Sequence, residues 1–429
     1  MKKRRRSRLS VGTMVMLVLT ACVLAATAAF LFLIAGDGVY ERAYAAFNLL
    51  AETQKPTDVP SPEPTIKPLD TPTVTAVPTA EPTAEPTPSS GLTTFTLAAA
   101  GTVYAPKAIR ESAQESGGHY DFSSVLNGIG DTLSAADLTI VTLETTTAGR
   151  EKGYGNYNTT PEILDALRVC GVDLVALATE RALDRGYDGL DLTLSELTSR
   201  SLAYAGVYPY SENGSATMMN INGVQVAVLA YSYGLSDEGK AQTKNDSRGV
   251  LALIDAQKMA QDITRARVDG ANVVIVLPHW GTKNRAETPE SVRVLANTLA
   301  QAGADVILGT HPNVAQGVER IHTVRSDGLT YETVVCYSLG CLLTDARSSE
   351  NTAGMAVNLT LVYDSNTRRA YPGEMKITPL YIASQRKDGK NVYRVVDAED
   401  EQELSKLTIA EQQAAAQAVL RIRQAVKGE

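Results

Sequence analysis

The stretch Val273-Val274-Ile275-Val276-Leu277-Pro278-His279-Trp280-Gly281 shows most directly how this chain folds. Its unbroken run of β-branched and aliphatic residues predicts a strand at 273–278 that is buried on both faces, as in a sheet covered by helices. Helical patterns flank it at 255–268 and 291–302, and a second short apolar strand follows at 306–308. His279 would therefore lie at the carboxyl end of a strand, where open α/β sheets carry functional residues.

The same alternation extends outward along the chain. Further strands are predicted at 94–100, 138–143, 172–178, 224–231 and 333–338, and further helices at 122–135, 161–170 and 190–200. This order predicts an α/β protein with buried sheets. Beyond residue 345, strands are predicted at 356–363, 375–382 and 392–396, followed by a helix at about 409–426 that packs on the domain surface and opens with a capping box of Thr408 and Glu411.

Polar residues recur where the predicted strands end. The stretches are Thr142-Leu143-Glu144, Ala178-Thr179-Glu180-Arg181-Ala182-Leu183-Asp184, His279-Trp280-Gly281, Gly309-Thr310-His311-Pro312-Asn313 and Tyr337-Ser338-Leu339-Gly340. In this order they resemble the capsule-synthesis CapA family, the poly-gamma-glutamate capsule proteins with a calcineurin-like metallophosphatase fold. The resemblance covers roughly residues 95–345. It implies a metallophosphatase-like αββα sandwich and a role with an anionic envelope polymer such as poly-gamma-glutamate, in its biosynthesis or export.

The same resemblance implies a metal site whose ligands are largely replaced here. The family pattern runs Gly-Asp, Asn-Leu-Glu, Ala-Asn-Asn-His, His-Trp-Gly with a Glu two residues on, His-Pro-His and Tyr-Ser-Leu-Gly-Asn. The residues that differ from it here are Thr102, Thr142, Thr179, Glu180, Arg181, Lys283, Asn313 and Cys341. The ligands that survive are Glu144, His279 and His311, with Glu180 as a substitute. Because three ligands suffice for one zinc-like ion, one divalent metal remains an alternative to a pocket without a cofactor.

Two classes of function follow. In the first, the chain is a pseudoenzyme that binds or organises an envelope polymer or the capsule-synthesis machinery. In the second, it is a divergent metal-dependent phosphoesterase-type hydrolase that uses those four residues as a reduced ligand set. Arg181 and Lys283 either neutralise the remaining carboxylates and bind an anion, or point to solvent. Trp280, the only tryptophan, is predicted to line the pocket because it follows His279.

The N-terminal part predicts membrane attachment. Residues 1–10 form a basic cytoplasmic tail, the uncharged stretch 11–35 is a transmembrane anchor, and 36–91 is a juxtamembrane segment with a disordered Pro/Thr-rich linker. Basic residues before the anchor predict a single-pass protein of the bacterial cell membrane with a cytoplasmic N-terminus. A CapA-like domain at 92–345 and a C-terminal β-rich elaboration and helix at 346–429 would then be extracellular. A cleaved signal peptide, or a lipoprotein acylated at Cys22, is the alternative.

The charge distribution bears on which partners the protein can bind, and the cysteine content bears on disulfide bonds. The formal net charge is −8, although the first eight residues include six basic ones and no acid. The body is therefore more acidic than the total indicates and has no Lys/Arg-rich stripe, which excludes nucleic acid as a partner. Cys170, Cys336 and Cys341 are too few and too unevenly spaced for a disulfide framework, and they are predicted to be buried.

Overall fold

A computed structural model describes residues 91–208, 216–244, 250–325, 327–387 and 389–427. The predicted cytoplasmic tail, the anchor with Cys22, and the linker up to residue 90 lie outside the described residues. Within the described ranges, no helix is both long and apolar enough to span a membrane.

The described chain alternates strands and helices. The strands are β1 (Leu92–Val103), β2 (Leu138–Leu143), β3 (Leu174–Ala176), β4 (Ala203–Ala205), β5 (Thr217–Ile221), β6 (Val224–Ser232), β7 (Val273–His279), β8 (Val306–Leu308), β9 (Val318–Val324), β10 (Thr330–Cys336), β11 (Cys341–Leu343), β12 (Ala353–Asp364), β13 (Arg369–Lys387) and β14 (Lys390–Asp397). The helices are α1 (Lys107–Ser112), α2 (Ser123–Leu126), α3 (Gly130–Ser134), α4 (Glu162–Val169), α5 (Gly186–Ser199), α6 (Asp237–Gln242), α7 (Ala256–Val268), α8 (Glu290–Ala302), α9 (Glu401–Ser405) and α10 (Ile409–Lys427).

The strands form two sheets. The first has the order β14-β13-β12-β1-β2-β3-β4, with β11 also pairing with β1, and the second has the order β5-β6-β7-β8-β10-β9. Strands β1 to β4 run parallel, as do β6, β7, β8 and β10, whereas β12, β13 and β14 add to the first sheet as antiparallel strands. The chain beyond residue 346 therefore extends the first sheet.

Burial on both faces of the sheets produces a layered core. One hydrophobic cluster joins residues of both sheets, including Leu97 and Ile140 from the first and Val228 and Ile275 from the second. A second cluster joins the other face of the first sheet to α1 to α5, and a third joins the other face of the second sheet to α7 and α8. All positions of β2 and β7 are buried, as their unbroken apolar sequences predict. The predicted α/β class is confirmed.

The sequence predicts one continuous helix at 122–135, and this prediction is wrong. The chain forms α2 and α3 instead, because the backbone between them approaches β14. Gly128 makes a bridge to Val396, and a Cβ atom at Gly128 would lie 2.4 Å from the carbonyl oxygen of Val395. The strands β4, β5, β9 and β11 and the short helices α1, α6 and α9 had no clear sequence signal.

The C-terminal helix begins where the sequence predicts, but only half of its capping box forms. The Thr408 hydroxyl accepts a hydrogen bond from the Glu411 backbone N–H at 3.3 Å. The Glu411 carboxylate reaches β13 instead and accepts from the Ser384 backbone N–H at 3.0 Å and from the Tyr381 hydroxyl. Helix α10 also contributes Ala415, Ala418 and Ile422 to the core cluster that joins the two sheets. The cysteines at 170, 336 and 341 are free and buried, as predicted.

Candidate functional site

The carboxylate of Glu180, in the loop after β3, is the centre of the candidate site. One of its oxygens, Oε1, lies 3.1 Å from a terminal nitrogen of Arg181 and 3.8 Å from Nζ of Lys283. The other oxygen, Oε2, accepts a hydrogen bond from the Tyr233 hydroxyl and lies 3.6 Å from Nδ1 of His311. The Glu180 side chain is only 6% exposed. Both of its oxygens are therefore engaged by protein groups.

Two buried imidazoles face this carboxylate. His279 ends β7 and His311 follows β8, and because these strands are parallel neighbours their carboxyl ends bring the rings together. Nε2 of His279 lies 3.2 Å from Nδ1 of His311, and Nδ1 of His279 lies 3.0 Å from the Thr310 hydroxyl oxygen. Burial lowers the pKa of His279 well below its ordinary value, and burial lowers the pKa of His311 to about 4. Both rings are therefore neutral at neutral pH.

The loop after β8 holds its histidine in a strained conformation. His311 has φ of 96° and Asn313 has φ of 59°, both in the left-handed region that non-glycine residues rarely adopt. Gly309 is required by a close approach, because a Cβ atom there would lie 2.1 Å from the carbonyl oxygen of Tyr337 and 2.4 Å from Nε1 of Trp280. Such backbone strain concentrates at functional sites, where the surrounding structure maintains it.

Arg181 is fixed against two carboxylates. Besides Glu180, it contacts Asp184, with 3.4 Å between a guanidinium nitrogen and Oδ2, and it stacks 3.8 Å over the ring of Tyr157. Asp184 is held in turn by the Ser236 hydroxyl, which donates to Oδ1. The guanidinium is therefore an internal counterion in the pocket rather than a solvated surface charge. Its side chain is 19% exposed, against 40% for Lys283 at the outer side.

Glu144 is buried in the same site, where its charge interacts with those of Lys283, Glu180 and Arg181. It follows β2, and within the described part of the chain its Oε2 has no hydrogen-bond partner. The hydroxyls of Thr102 and Thr179 are likewise buried without a described partner. Burial raises the pKa of the Glu144 carboxyl to about 7, although the Lys283 ammonium opposes that effect. Burial therefore favours the neutral, protonated form of this carboxyl.

The remaining predicted pocket residues lie along the adjoining strands. Thr102 is paired with Thr142 on one side and with Cys341 on the other. The Cys341 thiol donates to the carbonyl oxygen of Asn313 at 3.5 Å, and burial raises its pKa. These side chains therefore form the wall next to Glu144 and offer no ionised ligand at neutral pH.

Trp280 does not line the pocket, and this prediction was wrong. It belongs to the cluster that packs the second sheet against α7 and α8, and its indole N–H donates to the carbonyl oxygen of Tyr337 at 2.9 Å. Tyr233, which donates to Glu180, was not among the site residues predicted from the sequence. It follows β6 directly, so the rule that strand ends carry functional residues also applied to it.

The residues that suit a metal ion are Glu180, His279 and His311. One ligand atom from each lies within 4.8 Å of the others. A tetrahedral ion with bonds of about 2.0–2.2 Å places its ligand atoms roughly 3.3–3.6 Å apart. The distances of 3.2 Å between the imidazoles and 3.6 Å from His311 to Glu180 are close to that spacing. Glu144, which the sequence included in the ligand set, is not in this group.

Comparison with known proteins places the chain in a family. Residues 96–346, more than half of the chain, match the profile of the family described as "Bacterial capsule synthesis protein PGA_cap". A "PGA biosynthesis protein CapA" of Bacillus subtilis (strain 168) is 28% identical over 226 residues, which are 52% of this chain and 54% of that protein. A "Capsule biosynthesis protein CapA" of Bacillus anthracis is 27% identical over 188 residues, 43% of each. The chain thus spans about half the length of these relatives.

Solved structures show weaker likeness. A phosphatase from Mycoplasma pneumoniae is 12% identical with a TM-score of 0.39, and the match covers 75% of this chain and 99% of that one. The calcineurin-like phosphoesterase YfkN from Bacillus subtilis is 13% identical with a TM-score of 0.37, and the match covers 78% of this chain and 97% of that one.

Proposed function

Because the chain belongs to the bacterial capsule synthesis PGA_cap family, we propose that it serves the biosynthesis or export of an anionic envelope polymer as a non-catalytic binding domain. In this proposal residues 11–35 anchor it in the bacterial cell membrane and the α/β domain lies outside. The two relatives, a PGA biosynthesis protein and a capsule biosynthesis protein, support the pathway. The basic residues before the uncharged stretch support the orientation.

The single observation that carries the non-catalytic role is the state of Glu180. Arg181 and Lys283 occupy one of its oxygens and Tyr233 the other. The two carboxylates that contact these cations, Glu180 and Asp184, balance their charge without an ion, and burial disfavours ionisation of Glu144 nearby. A divalent cation would have to approach two fixed positive charges, and their repulsion acts across a buried region where screening is weak.

The same cations supply a reason to bind an anion. The Lys283 side chain is 40% exposed, so its ammonium is available at the outer side of the site. An ammonium carries three N–H donors and can hold a carboxylate or phosphate group through charge-assisted hydrogen bonds while it remains near Glu180. The pocket would then hold a segment of the polymer without cutting it.

The metal content of the purified protein tests the proposal. The full chain is incubated with manganese, iron or zinc, desalted and subjected to elemental analysis. We expect no stoichiometric metal in the wild-type protein. The double variant Arg181→His, Lys283→Glu restores the residue types of the family pattern, and we expect it to retain metal. One ion per wild-type chain, lost in a folded His279→Ala variant, would contradict the proposal.

The second candidate is the divergent hydrolase, and it is favoured by the ligand atoms of Glu180, His279 and His311, which lie within 4.8 Å of one another. These residues would hold one divalent ion, which when bound would activate a water for attack on a phosphoester. A phosphodiester assay with added metal separates the candidates. Hydrolysis that His311→Ala abolishes would establish this activity, whereas hydrolysis that survives His311→Ala would be a contaminant.

A further inference from the structure

A further pocket lies at the amino-terminal ends of the parallel strands β7 and β8 of the second sheet. It is formed by residues that precede β7 and β8, whereas His279 and His311 follow these strands, so the strand lengths separate it from the Glu180 group. Its volume is about 600 Å³. The turn between β12 and β13 and the hairpin between β9 and β10 complete its wall. The charged and aromatic residues that line it are Arg267, Asp305, Arg325, Tyr331, Tyr363, Arg368 and Arg369.

The lining is strongly basic in a chain with a formal net charge of −8. It carries four arginines and a single acid, Asp305. That acid is already engaged, because its Oδ2 accepts from the Val274 backbone N–H at 2.8 Å and from the Arg267 guanidinium. Arg267 is also bonded to backbone carbonyls, which makes it a structural residue. Arg325 shares the same acid, with a terminal nitrogen 4.0 Å from Oδ1 of Asp305, so Arg368 and Arg369 are left without a carboxylate in the lining.

Two of these arginines enclose an aromatic ring. The Arg325 guanidinium lies 4.0 Å from the centroid of Tyr331, and the Arg369 guanidinium lies 4.4 Å from it. Stacking holds the flat faces of both groups, and one terminal nitrogen of each donates to a backbone carbonyl, that of Ala304 for Arg325 and that of Thr330 for Arg369. The Nε atoms of Arg325 and Arg369 are buried and have no hydrogen-bond partner within the described residues. A buried donor without an acceptor is costly, so the arrangement is incomplete without a further acceptor.

We propose that this pocket is an anion-binding site for a carboxylate or phosphate group. Arg325 and Arg369 would each offer the free Nε–H edge, and the exposed Arg368 would close the site from the turn between β12 and β13. The planar guanidinium edge matches both oxyanions, because each presents paired oxygen acceptors. Asp327 accepts from the Tyr331 hydroxyl at 2.5 Å but is not among the residues that line the pocket.

This site is independent of the proposed function of the Glu180 group, since the two share no residue. A protein that holds an extended polyanion gains from two such contacts at opposite edges of one domain, because each occupied site raises the effective concentration of the chain at the other. Either site can bind an anion without the other.

Hydrogen–deuterium exchange of the full chain, read by mass spectrometry, tests the site locally. Citrate serves as the carboxylate probe and inorganic phosphate as the phosphate probe, both at low ionic strength. We expect an anion to slow exchange in peptides covering 327–331 and 366–371. In the double variant Arg368→Gln, Arg369→Gln the anion concentration needed for half-protection should rise about tenfold or more. The control Arg168→Gln removes an exposed arginine on α4 and should leave that concentration unchanged.

Each outcome decides the proposal. Protection by citrate alone assigns the site to carboxylates, and protection by phosphate alone assigns it to phosphates. Protection confined to peptides of the Glu180 region, or no protection at millimolar concentrations of either anion, overturns it. Protection that persists unchanged in the double variant also overturns it. Should the double variant not fold, the single variant Arg368→Gln decides instead, because Arg368 is exposed and its removal leaves the Tyr331 stack intact.

Discussion

Replacing Glu144 by glutamine should change how the stability of the protein depends on pH. The carboxyl is buried, and its Oε2 has no hydrogen-bond partner among the described residues. Burial raises its pKa from 4.5 to about 7. Because the pKa in the folded state lies above that in the unfolded state, the neutral carboxyl contributes stability that is fully present below pH 4.5. That contribution is lost as the pH rises through 7.

The size of the effect follows from the shift in pKa. Each pKa unit corresponds to about 1.4 kcal/mol, so the wild-type protein should lose about 2.5 kcal/mol of unfolding free energy from this group between pH 5 and pH 8. Glu144→Gln cannot ionise and lacks this loss. Its stability relative to wild type should therefore rise by that amount over the same interval.

Urea unfolding of the compact unit Glu85–Glu429, followed by circular dichroism at several pH values, measures this difference. The matched control is Glu115→Gln, which removes a carboxyl that is exposed and should change the slope little. Equal pH dependence of wild type and Glu144→Gln between pH 5 and pH 8 would refute the reasoning. It would mean that Glu144 is ionised in the folded protein throughout this range.

Three further predictions concern the histidine pair, the sheet junction and the buried ion pair. Burial lowers the pKa of His311 to about 4, so the stability from this neutral ring is present above pH 6.5 and falls by about 3 kcal/mol as the pH drops to 4; His311→Asn should lack this loss in urea unfolding. Gly101→Ala places a Cβ atom 2.1 Å from the carbonyl oxygen of Gly340 and should cost about 2–3 kcal/mol, whereas Gly130→Ala meets no atom within 4 Å and should be near neutral in the same measurement. Asp305→Asn leaves a guanidinium without its buried partner and should destabilise the protein by about 3 kcal/mol in urea unfolding; an unchanged midpoint would contradict the assignment of this pair as structural.

The sequence predicted most of the parallel strands because each is a buried apolar run. The observed bounds of β2 and β8 are those expected from the pattern, and β7 differs only by including His279. The antiparallel hairpin strand β9 was missed because alternate positions of it are exposed, which makes its apolar signal weak. Short helices were also missed, since they carry too few residues to show a helical period.

Residues at strand ends could be located from sequence, but the directions of their side chains could not. The structure brings ligand atoms of Glu180, His279 and His311 together, whereas Glu144 is not in this group. Trp280 was misplaced because neighbours along an extended chain point to opposite faces, so a residue next to His279 is directed away from the pocket. The arginine pocket had no sequence signal, because its residues come from helices, strands and turns that are far apart in the sequence.

The pairing of β1 sets the order in which the protein can reach its folded state. This strand lies in the middle of the first sheet, and residues 92–100 pair in register with residues 356–364. A ribosome must therefore release most of the chain before β1 acquires that neighbour, and such a distant pairing slows folding. A chain cut at residue 345 would leave β1 as an open edge able to pair with other molecules. The last three strands thus cover an edge of β1 that an incomplete chain would leave exposed.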